Sequence, residues 1–249
     1  MYRRAHPRDM DAATLKRRAG ERAAELVDDG DVVGLGSGST AAAAIRALGE
    51  RVDSGLDVRG VPTSHQSREV ALDAGIPVVD LDQVEAVDVA IDGADQVATG
   101  GGGADDTAAD AGVGVPPLIK GGGGCHAREK LVDAAAGELI IVVDPAKLAP
   151  TLDAAVPVEV LPAARTLVAD RLRELGGDPT LREAAAKSGP VVTDNGNLVL
   201  DAEFGTVDDP ASLAADLAGI PGVLEHGLFV EMADRVLVGR EDGVETLFG

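Results

Sequence analysis

The chain has no tryptophan, one tyrosine (Tyr2) and three phenylalanines, so aromatics are only 2 % of its 249 residues. Hydrophobic residues still make up 45 %, much of it Ala and Val. The core must then be small aliphatic packing, which suits α/β layers better than aromatic-rich sandwiches. Cys125 is the single cysteine, which excludes an internal disulfide and a cysteine-based metal cluster. The longest strong apolar run, Leu139 to Val143, is far too short to span a bilayer. The N-terminal MYRRAHPRD is basic but no apolar segment follows it, so a soluble cytoplasmic protein is expected.

Positive charge is scarce too. Against 43 acidic residues stand 22 basic ones, and the formal net charge is −21. Such a surface repels nucleic acid and anionic membrane, so neither is an expected partner. The acids are spread along the chain, which argues against a disordered acidic tail and for a globular protein adapted to high salt, where screening removes the self-repulsion. Only five lysines remain, at 16, 120, 130, 147 and 187. Each therefore asks for a reason, and its compact ammonium supplies one.

What is there concentrates in one stretch, Lys120 to Lys130, KGGGGCHAREK. Glycines strip side chains from a run of backbone, so a small polar molecule can approach the amide N–H groups directly. Lys120 puts a cation at one end. Glu129 follows on the first turns of a predicted helix. A cation, bare donors and a carboxylate together suit proton-transfer chemistry on an anionic, hydroxylated substrate; the plain alternative is a loop feeding a helix. Cys125 and His126 are neighbours in sequence, and adjacent helical positions do not face each other, so no thiolate–imidazole dyad is expected. His6, His65 and His226 show no metal-ligand spacing, and no metal is expected.

Along the chain, residues 1–10 read as a loose arm and a helix runs from Asp11 to Gly30, with Leu15, Ala19, Ala23 and Leu26/Val27 at helical spacing. Strand Asp31 to Leu35 enters GLGSGST, Gly34 to Thr40, and then an Ala-rich helix to about Arg51. Strand, glycine turn and helix N-terminus make an anion site by construction. The spacing fits neither a dinucleotide fingerprint nor a Walker A loop, which leaves a single phosphate group, or a Gly-rich corner with a Ser/Thr cap. Strands at Asp57 to Val61, Pro77 to Asp80 and Val87 to Ile91 alternate with a helix at Ser64 to Ala74. The strand at Val87 ends in DGADQ, putting Asp92 and Asp95 where open α/β sheets hold ligand groups, or in an ordinary Asp-Gly turn. Thr99 to Pro117 reads as a solvated loop or lid. Strand Glu138 to Val143 ends at DPAK, which brings Lys147 toward the same crevice.

The texture changes after residue 150. Strand Val156 to Leu161, helix Ala163 to Leu175, a hairpin of Pro190 to Thr193 and Asn197 to Asp201 about Asp194-Asn195-Gly196, helix Pro210 to Ala218 and strand Val223 to Phe229 suggest a small ferredoxin-like α+β module. Arg235 to Gly239 and Val244 to Leu247 form a terminal pair. The expected organisation is a Rossmann-like open-sheet domain, 1–150 plus 231–249, and a small domain, 151–230, given to packing and subunit contact.

GSGST at Gly36 to Thr40, DGAD at Asp92 to Asp95, KGGG at Lys120 to Gly123, REK at Arg128 to Lys130 and VTDNGN at Val192 to Asn197 occur in one order. That set closely resembles the ribose-5-phosphate isomerase type A family, from about Leu15 to Leu247. The resemblance implies interconversion of ribose 5-phosphate and ribulose 5-phosphate in the non-oxidative pentose phosphate pathway, without metal or organic cofactor, by a homodimer or homotetramer. It implies Glu129 as general base and phosphate and sugar contacts at Ser37, Gly38, Ser39 and Thr40. Carboxylates at Asp92 and Asp95, flanking Gly93 and Ala94, would hold hydroxyls and help open the ring. Lys120, Gly121, Gly122 and Gly123 would meet the oxyanion, and Lys147, with Lys16 in some members, the phosphate. This chain departs at Ser37 (commonly Thr), at Gln96 (commonly Glu), at GCHAREK and in a longer 99–117 loop. The rival readings are a sugar-phosphate sensor, which should lack a base, and an amino-sugar phosphate deaminase, which should use histidine.

Overall fold

In a computed structural model of the protein, residues 11–100, 115–186 and 188–248 are described. The expected arm at 1–10 and most of the 99–117 loop lie outside them, as does Lys187.

The main sheet has six strands: β1 (Val32–Leu35), β2 (Arg59–Pro62), β3 (Val87–Gly93), β6 (Ala136–Val143), β13 (Arg235–Arg240) and β14 (Gly243–Phe248), in the order β14-β13-β6-β3-β1-β2. All neighbours are parallel except the terminal β13–β14 hairpin. Parallel strands must be covered on both faces, and alternation supplies two apolar faces from one strand. Ile140 and Val142 of β6 join Val33, Leu35, Val89 and Ile91 under helices α1 (Ala12–Ala24) and α2 (Gly38–Asp53). Leu139, Ile141 and Val143 face the other way, against Val97, Leu118 and Phe229. Helix α3 (His65–Asp73) follows β2, and α4 (His126–Ala135) leads into β6, with Val132 packed on Val32 and Val61.

Helix α1 lies so close to β13 that a Cβ on Gly239 would collide with the carbonyl of Leu15. The Arg18 guanidinium fastens the same contact by donating to the carbonyls of Arg240 and Glu241.

A second sheet, β11-β8-β10-β9, is built from β8 (Val156–Val160), β9 (Asp178–Leu181), β10 (Leu198–Glu203) and β11 (Val223–His226), all pairs antiparallel. Helices α5 (Arg165–Glu174) and α6 (Pro210–Ala218) pack on it through Val168, Leu172 and Leu217. The chain order β8-α5-β9-β10-α6-β11, with β10 inserted between β8 and β9, is the split βαβ arrangement of a ferredoxin-like module. The fold is α/β of the expected class. A third, short sheet, β12-β5-β4-β7, joins the two layers, from β4 (Gln96–Ala98), β5 (Leu118–Ile119), β7 (Leu148–Ala149) and β12 (Leu228–Phe229).

Four local expectations need correction. Pro77 to Asp80 forms only a bridge from Val78 to Gly60. Pro190 to Thr193 is likewise no strand: Val192 bridges Leu198, and the neighbours of β10 are β8 and β9. The stretch from Val223 to Phe229 is cut at Gly227 into β11 and β12, which belong to different sheets. Gly227 donates to the Pro157 carbonyl and accepts from Lys120 N–H, so the cut ties the two layers together at Lys120. Helix α1 stops at Ala24, short of Gly30.

Candidate active site

Three turns at the C-terminal ends of β1, β3 and β6, with the loop after β5 and the first turns of α4, enclose a cavity of about 120 Å³. Its lining comprises Ser37 to Thr40 from the β1–α2 turn, Gly93 to Asp95 after β3, Lys120 to Gly123, Glu129, and the two outlying lysines Lys16 and Lys147. The structure therefore gathers the sequence-selected residues, with one exception. Asp92 does not line the cavity; it is fully buried behind it.

The reason is strand alternation. Ile91 points into the core under α1 and α2, so Asp92 turns to the opposite face, the side of α4. One Asp92 oxygen accepts from the N–H groups of Ser37 (3.1 Å) and Gly93 (2.7 Å), and the other stands 2.8 Å from Lys120 Nζ. Lys120 is 2 % exposed, donates to the Gly93 carbonyl at 2.6 Å, and lies 3.4 Å from Glu129 Oε2. Burial alone would lower the lysine's pKa, but Asp92 and then Glu129 outweigh it and hold the group as ammonium. Removing that ammonium would leave Asp92 buried and unpaired, a loss of roughly 3–5 kcal/mol.

Glu129 is 4 % exposed on the first turns of α4. Burial pushes its carboxyl up to about 7 against the pull of Lys120, with Asp92 adding to the rise. A carboxyl at that value exchanges protons readily near neutrality. One turn further along α4, Asp133 is also buried, and neither of its oxygens has a hydrogen-bond partner among the described residues. Burial, then the Asp92 charge, pushes it well above the usual carboxylate range.

The other end of the cavity is cationic. Lys16 donates to Ser39 Oγ at 3.2 Å and lies 3.7 Å from Asp144. Lys147 follows in the turn Pro145–Lys147, where the Asp144 side chain accepts from Ala146 N–H. Between these lysines α2 begins, with Ser37 at its N-cap. A helix N-terminus with its dipole and two ammonium groups fit a phosphate dianion.

Sequence reading missed the groups behind this end. The Ser37 hydroxyl pairs with Thr63 (2.9 Å) and Ser64 (2.6 Å), and Gly38 N–H donates to Gln66 Oε1. The run PTSHQS, Pro62 to Ser67, was the available signal: a polar strand-to-helix corner closed by a Ser64–Ser67 capping box. The expectation for 151–230, packing and subunit contact, left out its reach to the cavity. Arg182, directly after β9, donates through Nη1 to the carbonyls of Gly121 (2.9 Å) and Gly122 (3.0 Å). The turn Asp194-Asn195 reaches across as well: Asp194 accepts from His65 N–H, and Asn195 from Arg128 Nε.

Lys130 does not line the cavity; its ammonium meets Glu225 and the His226 carbonyl. The Cys125 thiol points at the Gly123 carbonyl and the His126 ring at the Glu225 carbonyl, so the two do not pair. Burial, with Glu129 adding to it, lifts the thiol to about 11; burial draws the imidazole down to about 4. Neither group is charged near neutrality.

The sequence and the fold that carry this cavity have known relatives. A profile described as ribose 5-phosphate isomerase A (phosphoriboisomerase A) matches residues 59–243. Ribose-5-phosphate isomerase A of Halorubrum lacusprofundi is 60 % identical over 236 residues, spanning 93 % of this chain and 95 % of that one. Its counterpart in Haloarcula marismortui is 61 % identical over 229 residues, spanning 92 % and 93 %. The structure of ribose 5-phosphate isomerase A from Methanocaldococcus jannaschii is similar at a TM-score of 0.86 and 43 % identity, over 96 % of this chain and 100 % of that one. A D-ribose-5-phosphate isomerase in complex with phospho-erythronic acid gives 0.88 and 39 % over the same shares. On the profile match and on identities of this size over nearly its whole length, the chain belongs to the ribose 5-phosphate isomerase A family.

Proposed function

We propose that the chain interconverts D-ribose 5-phosphate and D-ribulose 5-phosphate with Glu129 as the base that moves a proton between C2 and C1 through an enediolate. The observation that carries the assignment is the placement of Glu129: buried, raised to about 7, and 3.4 Å from the Lys120 ammonium inside the cavity. One carboxylate on one face of the sugar can take the proton and return it to the neighbouring carbon. As the proton leaves, charge develops on the C1 and C2 oxygens. Lys120 supplies the compensating cation, the kind of preorganised interaction worth about 3–4 kcal/mol per donor.

Asp92 takes a different part from the one the resemblance implies. It faces Lys120 and the turn N–H groups, so we assign it to holding the ammonium in place. Asp95 does line the cavity and is the carboxylate left for a sugar hydroxyl and for ring opening; its Oδ2 also accepts from Gly122 N–H at 2.6 Å. The Ser37–Thr40 turn, Lys16 and Lys147 hold the phosphate, whose binding energy fixes the reacting carbons against Glu129. A related D-ribose-5-phosphate isomerase is in complex with phospho-erythronic acid, a hydroxylated phosphate anion of the class this cavity would take. We place the enzyme in the non-oxidative pentose phosphate pathway of the cytoplasm, as a homodimer or homotetramer, with residues 1–150 plus 231–249 as the catalytic domain and 151–230 as the subunit-contact domain.

The test is Glu129→Gln. Turnover of ribose 5-phosphate should fall by about 10²–10⁴, while inorganic phosphate still binds as in the parent. Near-normal turnover in that variant would remove Glu129 as the base.

A further inference from the structure

The glycine loop has no side chains of its own to fix it, yet two of its peptide planes are held from outside the cavity. Arg182 belongs to the small module: its N–H donates to the Val199 carbonyl and its own carbonyl accepts from Val191 N–H. Its side chain is 16 % exposed. Asp201, on β10, grips the far side of the guanidinium, accepting from Nε at 2.8 Å and from Nη2. That fork leaves Nη1 aimed at the carbonyls of Gly121 and Gly122.

A trans peptide is planar, with C=O and N–H on opposite sides. A cation that pulls the carbonyls of Gly121 and Gly122 one way therefore turns the N–H groups of Gly122 and Gly123 the other way. The Gly122 N–H is found where this requires, 2.6 Å from Asp95 Oδ2 on the cavity wall. Gly123, the next plane along, also lines the cavity. The hold adds to the loop's own turn bond, Gly124 N–H to the Gly121 carbonyl at 2.9 Å, where Gly121 and Gly124 sit at φ +97° and +74° in the left-handed region that glycine enters and leaves freely.

We propose that Arg182 is a positioning residue for the isomerisation: clamped by Asp201, it aims Gly122 N–H at Asp95 and Gly123 N–H at the oxyanion that forms on the substrate. The inference rests on the proposed reaction, and it makes the small module part of the catalytic apparatus. A lysine in its place would supply charge but not the planar fork that serves Asp201 and two carbonyls together.

The test compares Arg182→Met, Arg182→Lys and Asp201→Asn with the parent. Each is measured for kcat and KM with ribose 5-phosphate, and for inhibition by phospho-erythronic acid and by inorganic phosphate. Arg182→Met should lose about 10²-fold in kcat, the scale of a misplacement near 1 Å. It should lose affinity for phospho-erythronic acid by a similar factor, with phosphate inhibition within about threefold of the parent. Arg182→Lys and Asp201→Asn should show smaller losses in the same pattern, and Asp201→Asn decides the matter if Arg182→Met does not fold. A kcat within about twofold of the parent in the folded variants overturns the proposal. So does a parallel loss of phosphate affinity, which would mark a general collapse of the cavity. Glu129→Gln separates the two readings: if it is inactive while the Arg182 variants are fully active, the base stands and only the positioning role is lost.

Discussion

Lys120 Nζ and Glu129 Oε2 lie 3.4 Å apart, both almost wholly removed from solvent. In that setting the carboxyl and the ammonium set each other's charge. The lysine keeps Glu129 from rising further, and Glu129 with Asp92 keeps the lysine protonated. A base poised near neutrality and an electrophile that keeps its proton are what the proposed enediolate chemistry asks of a site.

The pH dependence follows from the sign of the Glu129 shift. The carboxylate is the working form, so kcat/KM should fall as pH drops through about 7, approaching about tenfold per unit well below it. Asp95 and the buried Asp92 and Asp133 face the same pocket of charge. Asp133, pushed well above the usual carboxylate range by burial and then by the Asp92 charge, favours its neutral form. Asp133→Asn copies that neutral form and should leave kcat within about twofold, since an amide matches a protonated carboxyl in shape and charge. A pH–rate profile of parent and variant from 5 to 9 checks both; a flat acid limb in the parent would overturn the first.

The cationic end predicts a separation of constants. Lys16→Met and Lys147→Met each remove a charge-assisted contact to phosphate, worth about 1.5–3 kcal/mol. KM for ribose 5-phosphate should rise by roughly 10–100-fold. Inhibition by inorganic phosphate should weaken in step. Steady-state kinetics on the two variants reads this directly, and an unchanged KM in both would place the phosphate elsewhere.

A net charge of −21 predicts salt-dependent stability. At 1 M salt the screening length is about 3 Å, so most of the surface repulsion is gone. The melting temperature should climb between about 0.1 and 2 M KCl, while the short, buried Lys120–Asp92 contact keeps the cavity intact across that range. Thermal unfolding followed at several KCl concentrations tests this. A melting temperature that falls with KCl would contradict it.

Much of the site was legible because the chemistry sits in short local patterns. A strand, a glycine turn and a hydroxyl-rich helix start announced the anion end at Ser37 to Thr40. Scarcity singled out Lys16, Lys120 and Lys147, and all three line the cavity. Asp92 was harder, because its motif suggests a ligand contact while strand parity sends the side chain to Lys120. Arg182 was invisible because its partners at the loop are backbone carbonyls, which no side-chain pattern encodes. The division of Val223 to Phe229 was hidden for a related reason. Nothing local separates its two halves; the break lies in the tertiary pairing of Gly227 with Pro157 and Lys120.

The collision that any side chain at Gly239 would cause with Leu15 has a reach beyond packing. Lys16 is the next residue along, and its ammonium meets Ser39 at the phosphate turn. A methyl group added at position 239 would force α1 and β13 apart, and α1 carries that ammonium. Such an allele would pass as silent in an assay run at saturating substrate and would fail in a cell where ribose 5-phosphate is scarce.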